Sequence, residues 1–281
     1  MSRSSRSRWT AGRVMSHVFL VFFSIGTVYP ILQIVTISLR PGDQLYSTSL
    51  APIPAGATLH AYGAMLFDKP FIRWMTNSLL VSLAVTIFGV TLASTAAYAF
   101  SRFRFPGRRE GLYAFLLTQM FPPTMLMLPL YVLMKELHLL ESFAGLVLAY
   151  TATALPFCVW TMRGYYDTIP IELEQAALID GCSPWSAFVR VTLPLAAPAL
   201  AITALFSFMA AWSEFLVARI IINRQALYTL PLGLESLAGQ FQTEWANYAA
   251  GSLMVCVPVM ILFVALNRYL VSGLSLGAVK G

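Results

Sequence analysis

Histidines, cysteines, lysines, serines and acids carry most enzyme chemistry, and in this chain few of them stand at spacings that could perform it. Gly273, Ser275 and Gly277 match Gly-x-Ser-x-Gly, the nucleophile elbow of a hydrolase. The match follows an apolar run instead of a strand, and the four residues after Gly277 hold no Asp or His, so no triad is expected. Lys69, Lys135 and Lys280 precede Pro, Glu and Gly, so a phosphate-cradling Gly-x-x-x-x-Gly-Lys-Ser/Thr loop is absent. His17, His60 and His138 are scattered without ligand spacing. Cys158, Cys182 and Cys256 lack paired spacing, and two of them fall in apolar segments, which suggests small packing side chains. Neither an enzyme active site nor a metal site is expected.

The chemistry that remains is that of polar groups set in apolar segments. Glu214 is the one acid inside such a segment, and an intramembrane acid is a functional candidate. It also lies near a segment end, where it could be solvated or paired with Arg219. Asn77 with Ser78, and Thr118 with Gln119, could line a polar substrate path or bond between helices. Ala93 with Ala97, and Ala197 with Ala201, have the four-residue spacing of close helix packing.

These residues need elements to hold them, and composition dictates which. Of 281 residues, 58% are hydrophobic and 11% charged, against about 25% charged in a soluble domain. Six segments, at about 14–39, 74–100, 112–134, 143–162, 195–215 and 248–271, are long and apolar enough to cross a bilayer as helices. The expected fold is therefore an all-α integral membrane protein with about six transmembrane helices, read as one domain over 1–281. The first apolar run is too long for a signal peptide, lacks a clear cleavage signature, and is expected to be retained.

With the N-terminus inside, Arg40, Lys69, Arg73, Lys135, Arg219 and Arg224 face outward, and the other twelve of the eighteen Lys and Arg face the cytoplasm. That bias places both termini in the cytoplasm. It also accounts for the net charge of +6 without nucleic acid as a partner. Residues 40–71 read as an irregular external loop, rich in Pro and Gly, and 102–110 as a short basic cytoplasmic turn.

The longest cytoplasmic excursion, 163–194, is no idle linker. Pro170 and Gly181 bracket a short helical pattern, and Ser183 with Pro184 offers a cap and first-turn proline for a second helix over 184–191. Leu173, Ala176, Ala177 and Asp180 recur at helical spacing as a stripe of small side chains that another protein could approach closely. The same stripe could also lie against the chain's own membrane helices.

At this loop the sequence resembles the permease subunits of ATP-binding-cassette importers. Their signature is Glu-Ala-Ala, three residues, Gly, nine residues, then Ile-x-Leu-Pro. Here the register falls on Gln175, Ala176, Ala177, Gly181, Val191, Leu193 and Pro194, with every spacing met. Glu174 to Pro194 is similar to the sugar branch of the family, as are Asn77 with Ser78, residues 104–108 and residues 228–233. Residues 273–281, ending in Lys280 and Gly281, resemble the tail of the maltose/trehalose-type subunit, which gives a cytoplasmic tail over 272–281.

The resemblance implies a type I importer permease fold in a bacterial cytoplasmic (inner) membrane. It further implies that the paired helices dock on a separate ATPase dimer, through Glu172, Glu174, Gln175, Ala176, Ala177, Asp180, Gly181, Leu193 and Pro194, with Lys280 and Gly281 in the tail. ATP and Mg would then sit on that ATPase, with no cofactor on this chain. An external sugar-binding protein would deliver a di- or oligosaccharide of the maltose or trehalose class and touch Gly239, Gln240, Phe241 and Trp245. A second, homologous permease would complete the pathway, with membrane lipid around both. The family's acid, which pairs with an ATPase arginine, is Gln175 here, and Glu174 is expected to take over that contact. A secondary transporter, or a permease for a non-sugar solute, is the alternative. The first of these needs ionisable residues near the membrane midplane, and there are essentially none.

Overall fold

A computed structural model describes residues 11–42, 44–46, 51, 53–239 and 243–278. Gln240, Phe241, Lys280 and Gly281 lie outside the described residues. Among those described, the only strand-like feature is an isolated bridge between Ala238 and Thr243; the rest is helix and connection.

Among the described residues, four helices are long and apolar enough to cross a membrane: α1 (Ala11–Ser38), α3 (Phe71–Arg102), α6 (Phe143–Tyr166) and the first part of α13 (Trp245–Ala278). Two bent pairs bring the number to six when each is counted as one span. In the first, α4 (Arg108–Thr118) meets α5 (Pro123–Glu136) at 104°. The uniform apolar pattern over 112–134 predicts one straight helix, but Pro122 and Pro123 each push the preceding residue out of helical geometry. In the second, the segment Pro184–Leu195 meets α10 (Ala197–Trp212) at 79°.

Within the loop expected to be external, Ala61, Ala64 and Met65 bury one face of a short helix, α2 (His60–Phe67), at helical spacing, an element that Pro and Gly content does not predict. At the far end, α13 continues through the expected tail as far as Ala278. The Gly-x-Ser-x-Gly match is therefore helical, not a strand-to-helix elbow.

The chain separates into two compact units. One gathers residues up to Lys69 with 237–254 and is tied by polar contacts. Ser38 and Tyr62 share a 2.8 Å hydroxyl bond, and Arg40 Nη1 donates to the carbonyl of Leu45 at 2.5 Å.

The other unit, Pro70–Ser236 with residues from Val255 on, is built on α3 and α6 lying along one another with α10 against both. Ala93, Ala97 and Ala154 are buried at the α3–α6 contact beside Cys158, Met162 and Tyr166. Small side chains let the backbones approach, which is what holds helices together where water supplies no hydrophobic drive. Cys158 is the packing residue expected of it, its Sγ 3.3 Å from Ser207 Oγ.

Candidate functional site

The loop 163–194 folds as its punctuation predicts. α7 (Ile171–Ile179) ends at Gly181, whose φ of +86° is left-handed backbone that glycine adopts without strain. Ser183 caps α8 (Pro184–Ala187) by accepting from the Ser186 amide at 3.2 Å, with Pro184 at the first helical position. The second helix does not run on unchanged to 191: Phe188–Thr192 widen to a π-helical turn, which leads into α9 (Leu193–Leu195) and the bend before α10. Such turns are rare and recur at functional sites. Leu193 and Pro194, the end of the fixed-spacing pattern, thus form the corner between loop and membrane helix.

Besides a 2.6 Å hydrogen bond from Ser101 Oγ to Asp167 Oδ1, two anchors fix this loop to the end of α3. Glu174, on the inner side of α7, is buried, with Arg102 Nε donating to Oε1 at 2.7 Å and Tyr98 Oη to Oε2 at 2.8 Å. Arg102 Nη2 also donates to the Ile169 carbonyl at 3.0 Å, so one guanidinium holds both the entry to α7 and its acid. The second anchor is Phe188, whose ring lies 4.5 Å from that of Tyr98 and 6.3 Å from that of Tyr166. Below them Tyr166 bonds Ser94 at 2.8 Å. Charge, hydrogen bond and ring contact all bind the loop to α3 and α6.

Glu174 therefore does not stand in for the missing acid at Gln175. Both its oxygens are engaged within the chain, and the side chain is only 8% exposed. What α7 shows outward is Glu172, Gln175, Ala176, Asp180 and the 86%-exposed Ile179, with Gly181 and the 65%-exposed Trp185 alongside and Ala177 half-buried. An apolar and small face with few charges suits protein contact better than solvent.

The polar pairs proposed for a substrate path have internal partners. Asn77 Nδ2 donates to the carbonyls of Ala226 and Tyr228 at 3.1 and 2.9 Å, and Ser78 Oγ accepts from the Leu230 amide at 2.7 Å. They pin α12 (Leu230–Glu235) to α3. Thr118 bonds back to the Phe115 carbonyl, and Gln119 Nε2 reaches the Thr153 carbonyl on α6 at 3.2 Å. In place of a pair with Arg219, Glu214 accepts from the amides of Val217 and Ala218 at 3.0 and 3.1 Å, capping α11 (Leu216–Ile221).

Two carboxylates, Glu141 and Glu244, escaped the sequence reading. Glu141, itself at φ +52°, accepts from the amides of Asn223 and Arg224 at 2.9 and 3.1 Å. Glu244, beside Gly239 and Trp245, is 2.6 Å from Lys69 Nζ and also accepts from Asn247 Nδ2 at 2.6 Å. The Lys69 hydrogen bond holds the Glu244 carboxyl below its ordinary 4.5, against the opposing effect of burial. A lowered folded value means this strap is complete above pH 4.5 and is lost as pH falls through the lowered value. Amide exchange protection of Glu244, whose N–H donates to the Leu237 carbonyl at 3.2 Å, should stay level from about pH 7 to pH 5 and drop below 4.5. In Lys69→Met it should start lower and lose that acid step.

Over residues 87–275 the chain matches the family model described as binding-protein-dependent transport system inner membrane component. It is 35% identical over 270 residues to the diacetylchitobiose uptake system permease protein DasC of Streptomyces coelicolor, covering 96% of this chain and 98% of that one. It is also 35% identical over 272 residues to the galactooligosaccharides transport system permease protein GanQ of Bacillus subtilis, covering 95% of each. To the maltose/maltodextrin transport system permease protein MalG of Escherichia coli it is 35% identical over 284 residues, again with 95% of each covered. A chain in the crystal structure of a bacterial ABC transporter involved in the import of the acidic polysaccharide alginate has the same fold, at a TM-score of 0.81 and 24% identity, with 96% of this chain and 99% of that one covered.

Proposed function

This chain belongs to the binding-protein-dependent transport system inner membrane components, the permeases of ATP-binding-cassette importers, and from that premise we propose that it is one membrane-spanning subunit of an ATP-driven importer of a di- or oligosaccharide. A separate ATPase dimer hydrolyses ATP with Mg, a second homologous permease completes the pathway, and an external binding protein delivers the sugar. Both termini lie in the cytoplasm, as the Lys and Arg bias has it. The maltose or trehalose class is the first candidate substrate, supported by the maltose/maltodextrin relative; the chitobiose and galactooligosaccharide relatives support the wider oligosaccharide class.

The observation that carries this reading is the loop 163–194, anchored inward by Glu174 and Phe188 while Gln175, Ala176, Asp180 and Trp185 stay exposed. Closure of the ATPase dimer would press on that face, and the anchors would pass the displacement to α3 and α6. With no acid at Gln175, this contact is a neutral hydrogen bond instead of an ion pair. Lys280 and Gly281 are assigned to the ATPase contact, and Gly239, Gln240, Phe241 and Trp245 to the binding protein.

The test is ATP hydrolysis by the assembled transporter in lipid discs. Binding protein loaded with a cognate oligosaccharide should stimulate hydrolysis, with maltose, trehalose, chitobiose and galactooligosaccharide compared in turn. Ala176→Arg, at an exposed helical position, should leave the chain folded but abolish co-purification of the ATPase. Stimulation by none of these sugars, with stimulation by an amino acid or another non-sugar solute, would remove the sugar assignment. Normal ATPase binding by Ala176→Arg would remove the docking face.

A further inference from the structure

At the arginine-rich end of the compact unit built on α3 and α6 lies a cavity of about 550 Å³, of the size that takes a small ligand. Its lining includes Arg108, Arg109 and Arg163 against a single acid, Glu110. Arg163 Nη2 reaches Asp167 at 3.3 Å, while its Nε is buried without a hydrogen-bond partner. None of these groups belongs to the loop anchors, where Arg102 is the cation that holds Glu174.

The two helices that line the cavity, continued beyond it by Leu117 and Phe157, change in the same order along their length. On α4 the sequence runs Arg109, Tyr113, Leu117, each one helical turn deeper, and the Arg109 guanidinium lies 5.5 Å from the centre of the Tyr113 ring. On the antiparallel α6 it runs Arg163, Trp160, Phe157, with Arg163 6.0 Å from the Trp160 ring. Tyr113, Leu117, Phe157 and Trp160 are all exposed, between 41% and 56% of their surface. Cation, then interfacial aromatic, then aliphatic or ring surface is the order of a phospholipid's own phosphate, glycerol and acyl regions.

We propose that this cavity binds the headgroup of an anionic phospholipid, with Arg108, Arg109 and Arg163 around the phosphate, Tyr113 and Trp160 at the glycerol level, and the acyl chains along Leu117 and Phe157. Basic pockets between membrane helices take such headgroups because phosphate satisfies several guanidinium donors at once in a medium of low dielectric. The site does not depend on which sugar is carried or on how the ATPase docks.

The experiment uses the whole transporter in phosphatidylcholine discs, into which phosphatidylglycerol or phosphatidylcholine with brominated acyl chains is titrated. Trp160 fluorescence, isolated as the difference between the wild-type chain and Trp160→Phe, is the signal. Brominated phosphatidylglycerol should quench it at a much lower fraction than brominated phosphatidylcholine. Arg109→Gln and Arg163→Gln should each reduce that preference about fivefold, the effect of one basic residue near an anionic surface. Arg109 is exposed, so its variant decides the matter where Arg163→Gln does not accumulate. Equal quenching by the two lipids, or a preference unchanged by Arg109→Gln, overturns the proposal. Loss of the preference in millimolar inorganic phosphate assigns the cavity to free phosphate and overturns it as well. Quenching by neither lipid in the whole transporter, with quenching in the isolated chain, shows that a partner subunit covers the cavity, and likewise overturns it.

Discussion

Glu174→Leu should almost abolish sugar uptake and leave little assembled transporter, and adding Arg102→Met to it should recover the assembly while uptake stays low. The pair lies at 2.7 Å with side chains only 9% and 8% exposed. Removing one member strands a buried charge, which costs about 3–5 kcal/mol, a large share of a total stability near 5–15 kcal/mol. Here the loss is compounded, because Tyr98 Oη loses its acceptor and Arg102 keeps only the Ile169 carbonyl and the Ser101 hydroxyl. Replacing both charges by apolar groups of similar volume is often neutral for stability, which explains the expected recovery of assembled protein. Uptake should not follow, since α7 has then lost the bonds that tie its acid to Arg102 and Tyr98 of α3. Membrane abundance measured beside uptake and ATP hydrolysis separates the two roles. Equal recovery of assembly and uptake in the double variant would show that the ion pair serves stability only.

Gly233→Leu should be comparably damaging for a steric reason. A Cβ at Gly233 would overlap the indole ring of Trp74, which is itself buried. The usual relief, a shift of the short helix, is blocked: α12 is tied to α3 by Ser78 at the Leu230 amide and by Asn77 at the Tyr228 carbonyl. Overpacking of this kind costs about 1–3 kcal/mol or more where neighbours cannot yield. Trp74→Ala should recover part of the loss in the Gly233→Leu background while being harmful by itself, the coupling expected of residues that share one space. Thermal unfolding of the purified chain in detergent would show it. Strictly additive losses would place the damage elsewhere.

Asn77, Ser78 and Glu174 show where sequence reasoning reached and where it stopped. The apolar segments, the helix pair 171–187 and its glycine hinge were legible because length, Pro, Gly and Ser caps act locally. The bends at Pro122–Pro123 and before Ala197 were not, since hydropathy over 112–134 and 195–215 registers apolarity and not direction. Polar residues were legible as candidates but not as partners. Asn77 and Ser78 meet carbonyls and an amide about 150 positions away, and no local pattern carries that pairing. Glu174 was assigned outward because Gln175 beside it lacks a charge. Only the position of Arg102, 72 residues earlier at the end of α3, turns it inward. Lys69 with Glu244 was missed for the same reason, at a separation of 175 residues.

The most direct measurement is to purify this chain from its native host in mild detergent and identify its stoichiometric companions by mass spectrometry. An ATP-binding-cassette ATPase and a second permease should accompany it, with the ATPase lost from Ala176→Arg and retained in Lys69→Met. Recovery of the chain alone, under conditions that keep other membrane complexes intact, would contradict the account, and uptake sensitive to an uncoupler while ATP is maintained would then identify an ion-driven transporter instead.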